Sequence, residues 1–348
     1  MIYMNIYPQS TVETGIIITS LNDPKLDQLH EVARLYADAA LFYGGSVRIH
    51  PQAIHFIFIK KNSKNARWQL IYQSHVPINT AASAKLTNHK EECNRFLRSI
   101  GFPATLGIKI KHTELDDREK MTLQPPFPVV IKPNADTLKG KGVITNIVNQ
   151  QDLRLLAKKL FNQYPTIIVE EFIIRKKEFR VLVLDGKIIG IVERIPASVI
   201  GDGKQTIGQL IKQKNVLRKK QNAGLISLDQ ELRKNLQFKK ITLSTIPKKG
   251  MAIRLKNVCN FGAGGEIKLF STQTVHQDLH RMMKSLAHAT DLRLVGVDIL
   301  ADSLETAVGV SELKIIELNA NPDIAMHGFK DSKIAQQLAK KIVRAIFK

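Results

Sequence analysis

The chain has 348 residues, enough for two or three domains with their own cores, and no apolar run reaches the ~18 residues of a membrane span. Two cysteines, Cys93 and Cys259, exclude a disulfide framework or a zinc site of ordinary ligand spacing. Lysines and arginines number 52 against 31 acids, a formal charge of +21, which favours acidic partners such as nucleic acid, an acidic peptide or a nucleotide.

The start, M-I-Y-M-N-I-Y, lacks a basic stretch followed by an apolar one, so the expected location is cytoplasmic. Residues 1–88 alternate strand and helix patterns. Gly15–Thr19, Val47–His50, Ile54–Ile59 and Trp68–Tyr72 read as strands, and Leu26–Phe42 has helical spacing. This is a small N-terminal α/β domain with no chemical motif. Thr87 or Asn88 can cap a helix that carries Glu91 and Glu92 in its first turn and ends before Gly101. Val129-Val-Ile-Lys-Pro133 reads as a strand that carries Lys132 to the edge of a Gly/Lys-rich loop reaching Gly142. Backbone N–H groups and ammonium groups there suit an anion, although an exposed hairpin turn explains the same residues.

Asp152–Phe161 is helical and Thr166–Ile174 is a strand holding Glu170 and Glu171. Phe179–Leu184 and Lys187–Val192 form a hairpin about Asp185-Gly186, whose strands carry Arg180 and, further on, Arg194. Ile207–Lys220 is a basic helix, and the helical pattern resumes over Leu228–Leu236. Ala252–Leu255 is a strand and Asn260–Gly265 a glycine-rich loop. Val275–Ala289 and Ser332–Phe347 close the chain as helices. The cation clusters, such as Arg218-Lys219-Lys220 and Lys248-Lys249, are short, and aromatics do not interleave with them. Nucleic acid is therefore disfavoured, and a lysine-rich solvated surface is the plain alternative.

Two late strands carry acids. Leu294–Leu300 buries Asp298, which needs a partner or a shared metal. Ile315-Ile-Glu-Leu-Asn319 places Glu317 and Asn319 two apart on one face, oxygen donors suited to Mg2+, although an ordinary salt bridge would also account for Glu317.

In order, Lys90, Val129–Pro133, the loop to Gly142, Val169-Glu-Glu171, Glu178-Phe-Arg180, Gly201-Asp-Gly-Lys-Gln-Thr206, Gly264-Gly265, Gly296-Val-Asp298 and Glu317-Leu-Asn319 resemble the ATP-grasp superfamily. Within it, Gly201–Ile211 and Thr245–Gly250 resemble the branch holding cyanophycin synthetase and the glutathione-synthesising half of bifunctional glutathione synthetases. The resemblance spans roughly residues 85–330.

It implies an α+β or α/β fold in which two α/β modules clamp ATP. The expected domains are 1–88, a lid and central subdomain over 89–174, and a catalytic subdomain over 175–348. It implies a Mg2+- and ATP-dependent carboxylate–amine ligase acting through an acyl phosphate on amino acids or peptides, with Mn2+ as the other admissible cation. Lys90, Lys132, Gly140 and Gly142 would contact phosphates, the last two from a lid loop, Asp136–Gly142. Glu170 and Glu171 would lie near adenine and Glu178 at the ribose. Asp298, Glu317 and Asn319 would hold the metal, Arg194 would stabilise the acyl phosphate, and Lys256 and Asn260 would be catalytic beside it. Lys256 (or Arg254, out of register) stands where relatives carry arginine, Asp323 replaces a small residue after Asn321-Pro322, and the glycine loop is one residue longer, so substrate identity does not transfer. Without the second modules of those relatives the chain is expected to act as a stand-alone ligase, with its oligomeric state open. The rival readings are an ATP-grasp kinase acting on a hydroxyl and a non-catalytic binding protein with a basic surface.

Overall fold

The computed structural model describes residues 15–50, 53–134, 142–173, 176–221, 223–257, 259, 261–307, 313–329 and 331–348. Contacts divide the chain into two units, one of residues 1–78 with 323–348, the other of residues 79–322.

The first unit begins with β1 (Ile16–Ile18), α1 (Glu31–Phe42), β2 (Ser46–Ile49), β3 (Phe56–Lys60) and β4 (Gln69–Tyr72). The strands form an antiparallel meander in sequence order. Strict alternation buries Val47, Ile49, Ile57, Ile59 and Ile71 on one face; α1, whose Ala33, Tyr36 and Ala40 are buried, packs on β2 and β3.

The second unit opens with α2 (Ala81–Asn88) and α3 (Lys90–Ser99). Thr80 caps α2, and Thr87 lies inside that helix with its hydroxyl on the Ala84 carbonyl, so neither Thr87 nor Asn88 is the expected cap of the next one. Then come β5 (Gly107–Lys111), α4 (Arg118–Thr122), β6 (Val129–Pro133), β7 (Ile144–Ile147), α5 (Gln150–Phe161) and β8 (Thr166–Glu171). These strands form an antiparallel sheet in the order β5-β8-β6-β7. Val129, Ile131, Ile167 and Val169 pack on Leu153, Ala157 and Leu160 of α5.

β9 (Lys177–Leu184) and β10 (Lys187–Ile195) make the expected hairpin, with Asp185 and Gly186 at φ +47° and +73° in its turn. A two-stranded ribbon follows, β11 (Ser198–Ile200) with β12 (Ala252–Arg254), enclosing α6 (Ile207–Lys220) and α7 (Gln230–Phe238). Thr206 and Gln209 close a capping box on α6. These elements share a small core of their own that includes Val199, Leu210, Ile211, Leu232, Leu236 and Ile253. Finally β13 (Glu266–Phe270), α8 (Gln277–Thr290), β14 (Leu294–Ala301) and β15 (Lys314–Asn319) complete a five-stranded antiparallel sheet in the order β13-β10-β9-β14-β15. Its core face meets Leu279, Met283 and Leu286 of α8 and Cys93 and Leu97 of α3.

The closing helix α9 (Ser332–Ile346) packs on α1 in the first unit, whereas the sequence places it with the catalytic subdomain over 175–348. Its apolar stripe, Ala335, Leu338, Ala339, Ile342 and Val343, demands burial, but periodicity cannot name the surface that supplies it. Among the described residues no helix is long and apolar enough to cross a membrane.

Candidate active site

Alternation along β9 sends Phe179, Val181 and Val183 into the core and Glu178 and Arg180 to the other face of the five-stranded sheet. The register sets Arg194 opposite Glu178 on β10, and Arg180 opposite Asp298, itself opposite Glu317, on β14 and β15. An irregularity after Asp298 inserts Ile316 as an extra residue, so that Ile315 and Leu318 are both buried while Glu317 and Asn319 share the outer face. Arg180 clasps Asp298 with Nη2 2.9 Å from Oδ2 and Nε on Oδ1. Gly296 makes this possible: a Cβ there would lie 2.9 Å from Nη1 of Arg180. The Gly-Val-Asp spacing therefore leaves room for an arginine from the neighbouring strand.

Arg194 forms ion pairs with Asp298 and with Glu178, the latter at 3.1 Å. Its Nε faces Glu178 and its Nη2 faces Asp298, so a bound anion would compete with these two carboxylates for the guanidinium. Burial works against the charge on Asp298, but Arg180 and Arg194 more than offset it and hold the carboxyl below its ordinary range. The same ion pairs raise Arg194 despite its burial. Burial lifts Glu178, which Arg194 only partly offsets.

On the neighbouring sheet Lys132 Nζ lies 2.6 Å from Glu170 Oε2, with side chains only 6% and 5% exposed. The other Glu170 oxygen accepts from Thr105 and from Asn94 Nδ2 at 3.2 Å. Burial would lower the Lys132 ammonium, yet Glu170 first, then Glu317 and Asp298, raise it above its usual value. That influence joins the two sheets into one electrostatic network. Lys90, on the first residue of α3, reaches Glu317 Oε1 at 3.6 Å. The first turn of α3 has no side-chain cap of its own. Asn134, two residues after Lys132, supplies one: its carbonyl accepts from Lys90 N and its Oδ1 from Glu91 N, both at 3.3 Å.

Asp298, Glu317 and Asn319 are oxygen donors on facing positions of paired strands, and in kind they fit a hard divalent cation. Glu317 is 27% exposed. Asp298, by contrast, is shared with two arginines, which take both sites on Oδ1 and one on Oδ2 and leave one Oδ2 lone pair for a cation. Among the described residues no three His, Cys, Asp or Glu side chains are arranged to hold a metal.

The structure thus brings Lys90, Lys132, Glu170, Glu178, Arg194, Asp298 and Glu317 together, with Asn319 beside them on β15. Glu171 accepts from Leu106 N at 2.8 Å and pairs with Lys314 at 3.1 Å. Glu170 and Glu171 both sit within β8 and spend their carboxylates on the protein itself. Gly142 has φ +78°, and a Cβ there would meet Pro133 at 2.8 Å. Lys256 stands apart: its ammonium donates to Ser227 Oγ at 2.9 Å and to Asp229, the cap of α7, and it shares no partner with the network. Gly140, Asn260 and most of the loop Asp136–Gly142 lie outside the described residues. Asn94, Thr105 and Asn134 escaped sequence reading because nothing local distinguishes a buried polar residue that serves a distant strand. Arg180 was legible as a strand cation, but its partner was not.

No family model matches the chain. It is 28% identical over 272 residues to the cyanophycin synthetase of Trichormus variabilis, covering 76% of this chain and 29% of that protein. It is 31% identical over 230 residues to the glutathione biosynthesis bifunctional protein GshAB of Clostridium perfringens, covering 63% of this chain and 29% of that protein. Among solved structures, a bifunctional glutathione synthetase from Pasteurella multocida superimposes with a TM-score of 0.61 at 19% identity, covering 91% of this chain and 44% of that one. The chain spans about 29% of the length of these two curated relatives.

Proposed function

We propose that the chain is an ATP-grasp protein acting as an ATP-dependent carboxylate–amine ligase, on its sequence likeness to cyanophycin synthetases and to bifunctional glutathione-biosynthesis proteins and its likeness in fold to a bifunctional glutathione synthetase. In this reaction a substrate carboxylate oxygen attacks the γ-phosphorus of ATP and ADP leaves. An amine nitrogen then attacks the acyl carbon, phosphate departs, and the nitrogen loses a proton. The observation that carries the reading is one network that joins Lys90, Lys132, Arg180 and Arg194 to Asp298 and Glu317. Phosphoryl transfer demands fixed cations where charge develops, and such preorganised charge is the largest catalytic contribution a protein makes.

Lys132, held by Glu170, and Lys90, held by Asn134, are assigned to the triphosphate. Arg194, a buried cation between Glu178 and Asp298, is assigned to the acyl phosphate. Glu317, Asn319 and Asp298 would hold Mg2+, which when bound shares the negative charge of the transferring group. Glu178 is assigned to the ribose hydroxyls, and Gly142, with the lid loop, to closure over the phosphates. The substrates are assigned to the amino acid or peptide class, on the kinship with cyanophycin and glutathione synthesis. Both cysteines are free and buried, as suits a reducing compartment, and the cytoplasm is the assigned location.

The test is ADP release screened against amino acids and dipeptides in pairs, with mass analysis of the products. The proposal expects release only when a carboxylate and an amine are both present, with a new amide. ADP release with a phosphorylated hydroxyl and no amide would instead identify a kinase.

A further inference from the structure

The positive charge is not spread evenly. Residues 197–257 hold fourteen lysines and arginines against three acids, so about a sixth of the chain carries about half of the formal +21. All three acids are spent on local structure. Asp202 accepts from Lys204 N and Gln205 N in its own turn, Asp229 pairs with Lys256, and Glu231 accepts from Asn257 N. Buried Arg218 is likewise internal, donating to the carbonyls of Gly224 and Phe261, so the sequence cluster Arg218-Lys219-Lys220 is not a surface triad.

Lys214 pairs with Glu266 and Arg254 donates to the carbonyls of Lys256 and Asn257, whereas the other cations of the two helices face outward in a definite pattern. On α7 the core takes Leu232 and Leu236, and Arg233, Lys234, Gln237 and Phe238 fall together on the opposite, exposed face at spacings of three and four. Phe238 is 71% exposed. On α6 the exposed face runs Lys212, Val216, Lys219 and Lys220 at the same spacings, with Leu217 beside it; Val216 and Leu217 are 58% and 56% exposed. Leu228, Ile246 and Met251 add further exposed apolar side chains to the same module. Each helix thus offers cations interleaved with large apolar groups, a combination that solvation alone does not favour.

We infer that the exposed faces of α6 and α7, each mixing cations with large apolar groups, are docking faces for an acidic polypeptide segment that carries apolar side chains among its carboxylates. Charge complementarity selects a polyanion. The interleaved side chains select its class: Val216, Leu217 and Leu228 are aliphatic, and Phe238 is the single aromatic residue in 197–257. A nucleic acid presents phosphates and bases, and its bases need aromatic platforms. A polypeptide presents carboxylates and aliphatic groups together, so it satisfies both halves of the pattern. The surface is independent of the catalytic network, with which it shares no named residue.

Fluorescence anisotropy on the full chain tests this with three labelled probes of equal charge: an alternating Glu/Leu peptide, a poly-glutamate peptide and a single-stranded RNA. The expected order is Glu/Leu peptide tightest, with affinity falling about tenfold or more between low salt and about 0.2 M, as surface charge is screened. Arg233→Glu with Lys234→Glu and Phe238→Ser should weaken the Glu/Leu peptide at least tenfold while affinity for a non-hydrolysable ATP analogue stays unchanged. Lys219→Gln with Lys220→Gln, a milder pair on α6, should weaken it severalfold and guards against misfolding of the triple variant. Tightest binding to RNA would overturn the class of partner. Wild-type peptide affinity in both variants would overturn the surface.

Discussion

The buried pair between Lys132 and Glu170 can be asked whether it serves folding, nucleotide binding or both. At 2.6 Å and an effective dielectric of about 20, the direct attraction is about 6 kcal/mol, set against a desolvation cost of several kcal/mol per ion. Removing one partner alone is the costly change, because it strands the other charge: about 3–5 kcal/mol. For a unit of this size that corresponds to a fall in Tm of about 6–20 °C. Lys132→Met should show that loss, since the Glu170 carboxylate would keep only Thr105 and Asn94 as donors. The double variant Lys132→Met with Glu170→Gln should recover most of the lost stability, because no uncompensated charge remains. It should not recover affinity for a non-hydrolysable ATP analogue, since the ammonium assigned to the triphosphate is still missing. Differential scanning calorimetry and isothermal titration on the same samples separate the two effects. If ATP affinity returned together with stability in the double variant, Lys132 would be purely structural and its assignment wrong.

Glu317→Gln keeps shape and, at a partly exposed site, should leave Tm nearly unchanged while turnover falls about a hundredfold or more; unaltered turnover at limiting Mg2+ would refute the metal assignment. Asn134→Ala should cost about 1–2 kcal/mol through the uncapped first turn of α3 and raise KM for ATP more than it lowers kcat, because Lys90 is displaced. Lys256→Met should lower stability without changing affinity for ATP, as expected of an ammonium bound to Ser227 and Asp229; a loss of turnover in a variant of native Tm would restore its catalytic reading. The Asp229 carboxyl is held below its usual value: burial opposes the shift, and the hydrogen bonds from Lys256, Ser227 and Leu232 N outweigh it. Its contribution is therefore complete above the unfolded value of 3.8 and is lost as pH falls through the lower folded value. Melts of wild type and Asp229→Asn should accordingly converge in acid, and a constant gap down to the lowest pH would contradict the linkage.

Local signals were the legible ones. The Asp185-Gly186 hairpin follows from turn chemistry, α6 from its capping box and spacing, and the shared face of Glu317 and Asn319 from the period of a strand. Two strands that alternate isoleucine or leucine with lysine, β5 and β13, were not read as strands, since their charged positions mimic a loop. What depended on distant partners stayed hidden. Asn134 looks like loop punctuation after Lys132-Pro133 until α3 is seen resting on it. Gly296 looks like a weak point in a strand until Arg180 is seen crossing it. The pairing of Lys132 with Glu170, and of Lys256 with Asp229, is likewise set by which elements meet, so two lysines with similar sequence surroundings have different duties.

The central claim is that a carboxylate is activated as an acyl phosphate before the amine attacks. With a substrate pair in hand, the carboxylate is labelled with oxygen-18 and the inorganic phosphate released during turnover is analysed by mass spectrometry. The account predicts one labelled oxygen in each phosphate formed, in proportion to the ADP and amide produced. Unlabelled phosphate accompanying amide formation would contradict it.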